Sequence, residues 1–264
     1  MLKPAHKAAA LVAAASATAL VFTGVAVAGP PADRGPDPAK FSKKFRQAVT
    51  PEAIGQHLDA FQAIADEHGD RASGNPGYTA SRDYVIKTLR DAGYTPRVQS
   101  FDFPFFSEDS PSVLAQVSPD ATTYPTTDFS VMSFSGSGDV TAEVVAVDTD
   151  ATPTETSTSG CEAEDFADFP AGAIALMQRG TCAFGDKASN AEEAGAAAAV
   201  IFNRGTAGAE GDIGGTLGHV VGIPVVGSSF AIGQDLADPA GTTAHVVTDT
   251  TNETKKTYNV TAET

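Results

Sequence analysis

The chain has 264 residues, with 17 basic against 33 acidic side chains, a formal net charge of −16, 42% apolar residues and two cysteines. A balance this acidic excludes the basic surface that phosphate binding needs, so nucleic acid is not an expected partner. An exported surface kept in solution by its charge accounts for it.

Lys3 and Lys7 precede an alanine-rich apolar run from Ala8 to Val27, and Ala26-Val27-Ala28 before Gly29 fits a small-residue cleavage site. The run approaches the length of a bilayer span, which leaves an uncleaved anchor as the competing reading. Its Ala, Ser, Thr and Gly content makes it weakly hydrophobic, so cleavage between Ala28 and Gly29 is expected, with no membrane attachment afterwards. Residues 1–28 are thus read as a signal peptide and 29–48 as a linker, since Gly29 to Lys40 is too rich in Pro and Gly to hold a helix.

Thr50-Pro51-Glu52 then opens a helix, with threonine as N-cap, proline at the first helical position and an acid in the first turn. Ile54, Leu58, Phe61 and Ile64 supply its apolar stripe, and His68-Gly69 ends it. A second helix, Thr79 to Ala92, is expected to bury Tyr84, Val85 and Leu89 and to stop at Gly93. Arg97 to Phe105 alternates Phe101, Phe103 and Phe105 with other residues, as a half-buried strand does. Val113 to Val117, Phe129 to Phe134 and Val140 to Val147 are further strand candidates, and Thr149 to Ser159 is an exposed loop leading into Cys161.

Ala173 to Met177 and Ala197 to Phe202 are short apolar runs with the length of buried strands, ended by Arg179-Gly180 and Asn203-Arg204-Gly205. Between them, Asp186 to Ala196 is rich in helix formers, with Ala188, Ala191, Glu192 and Gly195 at three- and four-residue steps. The three pieces make a right-handed β-α-β crossover. In an exported chain the only two cysteines, Cys161 and Cys182, most simply form one disulfide; a metal pair or redox couple would be expected to show C-x-x-C spacing.

The run FPAGAIALMQRGTCAFGDKASNAEEAGAAAAVIFNRG from Phe169 to Gly205, followed by GIPVVGSS from Gly222, resembles the protease-associated (PA) domain carried by secreted peptidases. A second stretch, HGDRASGNPGYTASRDYVIKTLRDAGYTPRVQSFDF from His68 to Phe103, is similar to the opening of secreted zinc aminopeptidases of the aminopeptidase Y type. In that family a PA domain is inserted after this opening, and KTYNVTAE, Lys256 to Glu263, looks like the strand that returns to the catalytic core. The resemblance implies an α/β fold, with a PA domain (a β-sheet or partial barrel with flanking helices) inserted into the N-terminal part of an incomplete α/β zinc-peptidase core. It places a peptidase segment at 49–106, the PA domain at 107–250 and the return strand at 251–264.

Full-length members of the family are expected to hold zinc through His, Asp and Glu, with a glutamate as base for the metal-bound water. Two strings imitate that pattern. His57-Leu58-Asp59 lies inside the first helix, where residues two apart point about 200° away from each other. Glu192-Glu193 sits in the PA-domain helix and reads as a solvated face. His68, His219 and His245 belong to no closely spaced ligand set, and no G-x-S-x-G elbow is present. No catalytic residue, metal ligand or cofactor is therefore expected in this chain, and the family's zinc-ligand strand would follow its end. Its expected role is the PA-bearing front region of a secreted zinc aminopeptidase, not catalytic at this length, with a peptide or protein as the PA-domain ligand. A stand-alone secreted PA module that binds peptide or protein is the alternative. Asn252 and Asn259 begin N-x-T patterns, which matter only in a host that glycosylates.

Overall fold

The computed structural model describes residues 38–263; the expected signal peptide, the Ala28–Gly29 cleavage position and most of the expected linker lie outside the described residues. The chain divides into two compact units between Ala60 and Phe61.

In the first unit, helix α1 spans Pro38–Ala48. This corrects the linker expected to run through residue 48. The helix-breaking composition ends at Pro38, which takes a helix start, where its missing N–H is not needed. The ten residues after it are Ala, Phe, Ser, Lys, Arg and Gln only. Helix α2, Pro51–His68, begins in this unit and ends in the second; it opens with Thr50 Oγ1 accepting the Ala53 amide at 3.1 Å and Glu52 in the first turn. The apolar stripe of α2 is not a buried one: Ile54 and Leu58 are 50% and 63% exposed. Periodicity specifies the face, but only an element packed on it makes that face a core.

In the second unit, Phe61 lies edge-on to Tyr84 with ring centroids 5.3 Å apart, and the Arg71 guanidinium sits 4.0 Å over its ring. Asp70 ties the following turn, accepting the Ala72 amide and Asn75 Nδ2. Helix α3, Pro76–Asp91, then packs so closely on this turn that a Cβ at Gly77 would stand 1.9 Å from the Asp70 carbonyl oxygen. Tyr84, Val85 and Leu89 are half-buried, and the fully buried residues of α3 are instead Gly77 and Ser81.

Eight strands follow: β1 (Arg97–Ser118), β2 (Thr122–Thr123), β3 (Phe129–Val131), β4 (Gly138–Ala146), β5 (Ile174–Gln178), β6 (Ala198–Phe202), β7 (Val225–Ser228) and β8 (Thr243–Thr261). They form one sheet in the order β2-β1-β8-β4-β5-β6-β7-β3. The strands β4, β5, β6 and β7 are parallel neighbours, whereas β8 runs antiparallel to both β4 and β1, and β3 antiparallel to β7. Helix α4 (Phe184–Glu193) crosses from β5 to β6, and helix α5 (Phe230–Ala237) follows β7.

The two strand candidates Arg97–Phe105 and Val113–Val117 are one strand, paired with β8 from Arg97↔Thr261 to Ser118↔Thr243. Register shifts between Glu108 and Val113 absorb Pro111 and bend the pair without ending it. From Arg97 to Glu108 this is a two-stranded ribbon, backed by α3 through Tyr78, whose hydroxyl donates to the Tyr258 carbonyl, and through Arg82, 4.5 Å over the Tyr258 ring.

Strands β5, β6 and β7 are buried on both faces, as parallel strands are when elements cover each side, whereas β4 is mostly exposed or half-buried. Ile174, Leu176, Val200 and Phe202 meet Phe230, Ile232 and Leu236 of α5 on one face. On the other, Ala175, Met177, Ala199 and Ile201 meet Ala188 and Ala191 of α4. Small residues on both sides of the α4 contact let helix and sheet approach closely.

Candidate functional site

The carboxyl ends of β5 and β6 gather the chemically distinctive residues. β5 leads directly into Arg179-Gly180-Thr181-Cys182, and Cys182 is bonded to Cys161 with an S–S distance of 2.06 Å and Cα atoms 5.8 Å apart. Gly180 is fixed by lack of space, since a Cβ there would fall 1.8 Å from the Ser157 carbonyl oxygen. The loop from Thr149 to Ser159, expected to be exposed, is held against this end of the sheet. Gln178, 1% exposed, donates to the Thr152 carbonyl at 2.8 Å and accepts from Thr149 at 3.2 Å, and Ser159 Oγ accepts the Gln178 amide at 3.0 Å. Arg204 pairs with Glu155 at 2.8 Å across the mouth of the same loop. Thr206 and the Arg204 and Arg179 guanidiniums hold the Glu155 carboxyl below its ordinary range.

Lys187, in the first half of α4, points into this end of the sheet and is fully buried. Its Nζ donates to the Ser159 carbonyl and lies 3.6 Å from Cys161 Sγ. Burial pushes its pKa down to about 8, against the opposing pull of Asp165, Asp148 and Asp186. No motif marks this residue in the sequence. Its signal is a lysine one turn into a helix whose neighbours Ala188 and Ala191 face the core.

The outer side of α4 carries a second cluster. Glu192 Oε1 accepts the Gly222 amide at 2.9 Å, and His219 Nε2 lies 2.8 Å from Ser189 Oγ, so the segment ahead of β7 is pinned to the helix at two points. Glu192 and Glu193 are both exposed, as a solvated face is, and Glu192 in addition anchors the loop. His57 and Asp59 are exposed positions on α2, His68 closes that helix, and His245 faces Asp139 at 2.8 Å on the β4–β8 pair. Among the described residues no three of His, Cys, Asp and Glu come together to hold a metal ion. The donor set for a zinc centre is not assembled by these residues. Nor is any described helix long and apolar enough to cross a membrane.

Residues 140–236 match the family described as PA domain, a span from β4 into α5 and shorter than the 107–250 expected. The aminopeptidase of Pseudomonas aeruginosa is 45% identical over 213 residues, covering 79% of this chain and 39% of that protein. A probable lipoprotein aminopeptidase of Mycobacterium tuberculosis is 33% identical over 241 residues, covering 89% of this chain and 45% of that protein. Among solved structures, the aminopeptidase from Aneurinibacillus sp. strain AM-1 superposes with a TM-score of 0.59 at 27% identity, over 78% of this chain and 46% of that one. A structure of a zinc aminopeptidase from Bacillus subtilis shares the fold, with a TM-score of 0.52 at 23% identity over 78% of this chain and 46% of that one. The chain carries a PA domain and is related to aminopeptidases, and it spans less than half the length of these relatives.

Proposed function

We propose that this PA-domain chain is the front region of a secreted zinc aminopeptidase, in which α3 and the β1–β8 ribbon are the edge of a catalytic sheet built by further sequence. The observation that carries this reading is the extent of the similarity. The match to the Pseudomonas aminopeptidase runs over 213 residues, well beyond the PA domain at 140–236, so it takes in elements outside that domain. The Cys161–Cys182 disulfide supports an oxidising compartment. In this reading zinc is bound by residues outside this chain, and the chain by itself performs no hydrolysis. The PA domain, in turn, contacts a peptide or protein.

The purified chain is expected to keep no stoichiometric zinc after dialysis and to release no product from leucine anilide. Two tightly held zinc ions together with measurable anilide cleavage would overturn the reading. A second reading, a self-sufficient secreted PA module, is favoured by one observation: both core clusters lie wholly between Leu114 and Val246.

A further inference from the structure

We propose that the Cys161–Cys182 disulfide is a thiol-exchange site with a fixed direction: a small thiol adds to Cys182, and Cys161 leaves as a thiolate held by the Lys187 ammonium. The geometry is asymmetric between the two sulfurs. Lys187 Nζ lies 3.6 Å from Cys161 Sγ and is committed on another side to the Ser159 carbonyl. The side chain is fully buried, so its charge cannot swing into water and stays beside that sulfur. Both cysteines are only partly buried, which leaves the bond within reach of a small thiol.

The exchange balances with the thiol as sole co-reactant. The incoming thiolate forms a bond to Cys182 Sγ, the Cys161–Cys182 bond breaks, and its electron pair stays on Cys161 Sγ. The product is a mixed disulfide at Cys182 with a thiolate at Cys161. Exchange is faster when the departing sulfur is the better thiolate, and a neighbouring cation makes it so. Three carboxylates face the amine, Asp165 before β5, Asp148 after β4 and Asp186 in α4; each favours the charged amine against the burial that lowers its pKa to about 8. The amino end of α4 lies just beyond Cys182 and favours a thiolate there as well. The direct Nζ–Sγ contact at Cys161 is the stronger effect.

Incubation of the full chain with glutathione at pH 7.5, followed by iodoacetamide and peptide mass mapping, tests the direction. Glutathione on Cys182 with alkylated Cys161 is expected in about tenfold excess over the reverse arrangement. An even split, the reverse preference, or no adduct at either cysteine overturns the proposal. Lys187→Met, if it folds by near-ultraviolet circular dichroism, is expected to even the split, and a folded variant that keeps the bias overturns it. The reduced wild type supplies a measurement that needs no variant. Cys161 is expected to become reactive toward iodoacetamide at lower pH than Cys182, and the opposite order overturns the proposal.

Discussion

Lys187 brings a charge into the packed end of the sheet, and its proton equilibrium couples to folding. Burial lowers its pKa to about 8, whereas an ordinary lysine ionises near 10.5. Between those values the unfolded chain binds more protons than the folded one, so stability rises with pH across that window. From pH 7.5 to 10.5, urea unfolding of the wild type is expected to gain up to about 3 kcal/mol relative to Lys187→Met. Parallel pH courses for the two proteins would contradict this. At this scale the sequence was legible where local geometry alone decides. The disulfide followed from two cysteines in a chain expected to be exported, and the placing of His57 and Asp59 as exposed positions inside α2 followed from the helical pattern. Lys187 and the anchor made by Glu192 were not legible, because both depend on loops, Ser159 and Gly222, that fold back from about 30 residues away.

The elements with strong local patterns are the ones the sequence places well: α2 with its Thr50 cap, and the β5-α4-β6 crossover with its two apolar runs. Helix α5 is not legible in the sequence although Ser229 marks its start, its Oγ accepting the Ile232 amide. At eight residues with a glycine inside, it is too short for a periodic signal. That glycine is structural. A Cβ at Gly233 would stand 2.1 Å from Phe202 Cγ, so α5 lies on β6 only because position 233 has no side chain. Gly233→Ala is expected to destabilise the protein by about 2 kcal/mol, lowering the Tm by roughly 4–8 °C, since overpacking costs more than the gain in helix propensity. An unchanged or raised Tm would show that α5 can shift outward freely. The continuity of β1 was also hidden, because Pro111 between two serines reads as a turn separating two strands, although Pro104 already lies inside the first of them. Both prolines are tolerated where β1 is an outer strand of the sheet and where its register slips.

At the scale of the whole molecule, sequence resemblance located the PA domain and the α3 opening but could not show how they are joined. The join is the β1–β8 pair, which enters the PA sheet beside β4 and continues past it as a ribbon. Burial differs sharply along that pair. Leu114, Ala244 and Val246 are fully buried, whereas Val98 and Phe101 at the far end are 48% and 43% exposed. Between Arg97 and Glu108 the ribbon has β8 as its sole strand partner among the described residues; α3 backs it and Phe106 meets the Phe134 ring at 5.9 Å, but two strands alone are marginal in water. Hydrogen exchange should therefore separate the chain into two levels, with amides of β5 and β6 exchanging only through global unfolding. Amides from Arg97 to Glu108 and from Thr250 to Thr261 are expected to exchange at least about tenfold faster. If the ribbon is instead as protected as β6, the peptidase-like edge needs no further sheet to be stable, and the self-sufficient binding module becomes the better reading. Fast exchange confined to the ribbon, beside a fully protected PA sheet, is the signature of a catalytic-sheet edge that further strands would cover.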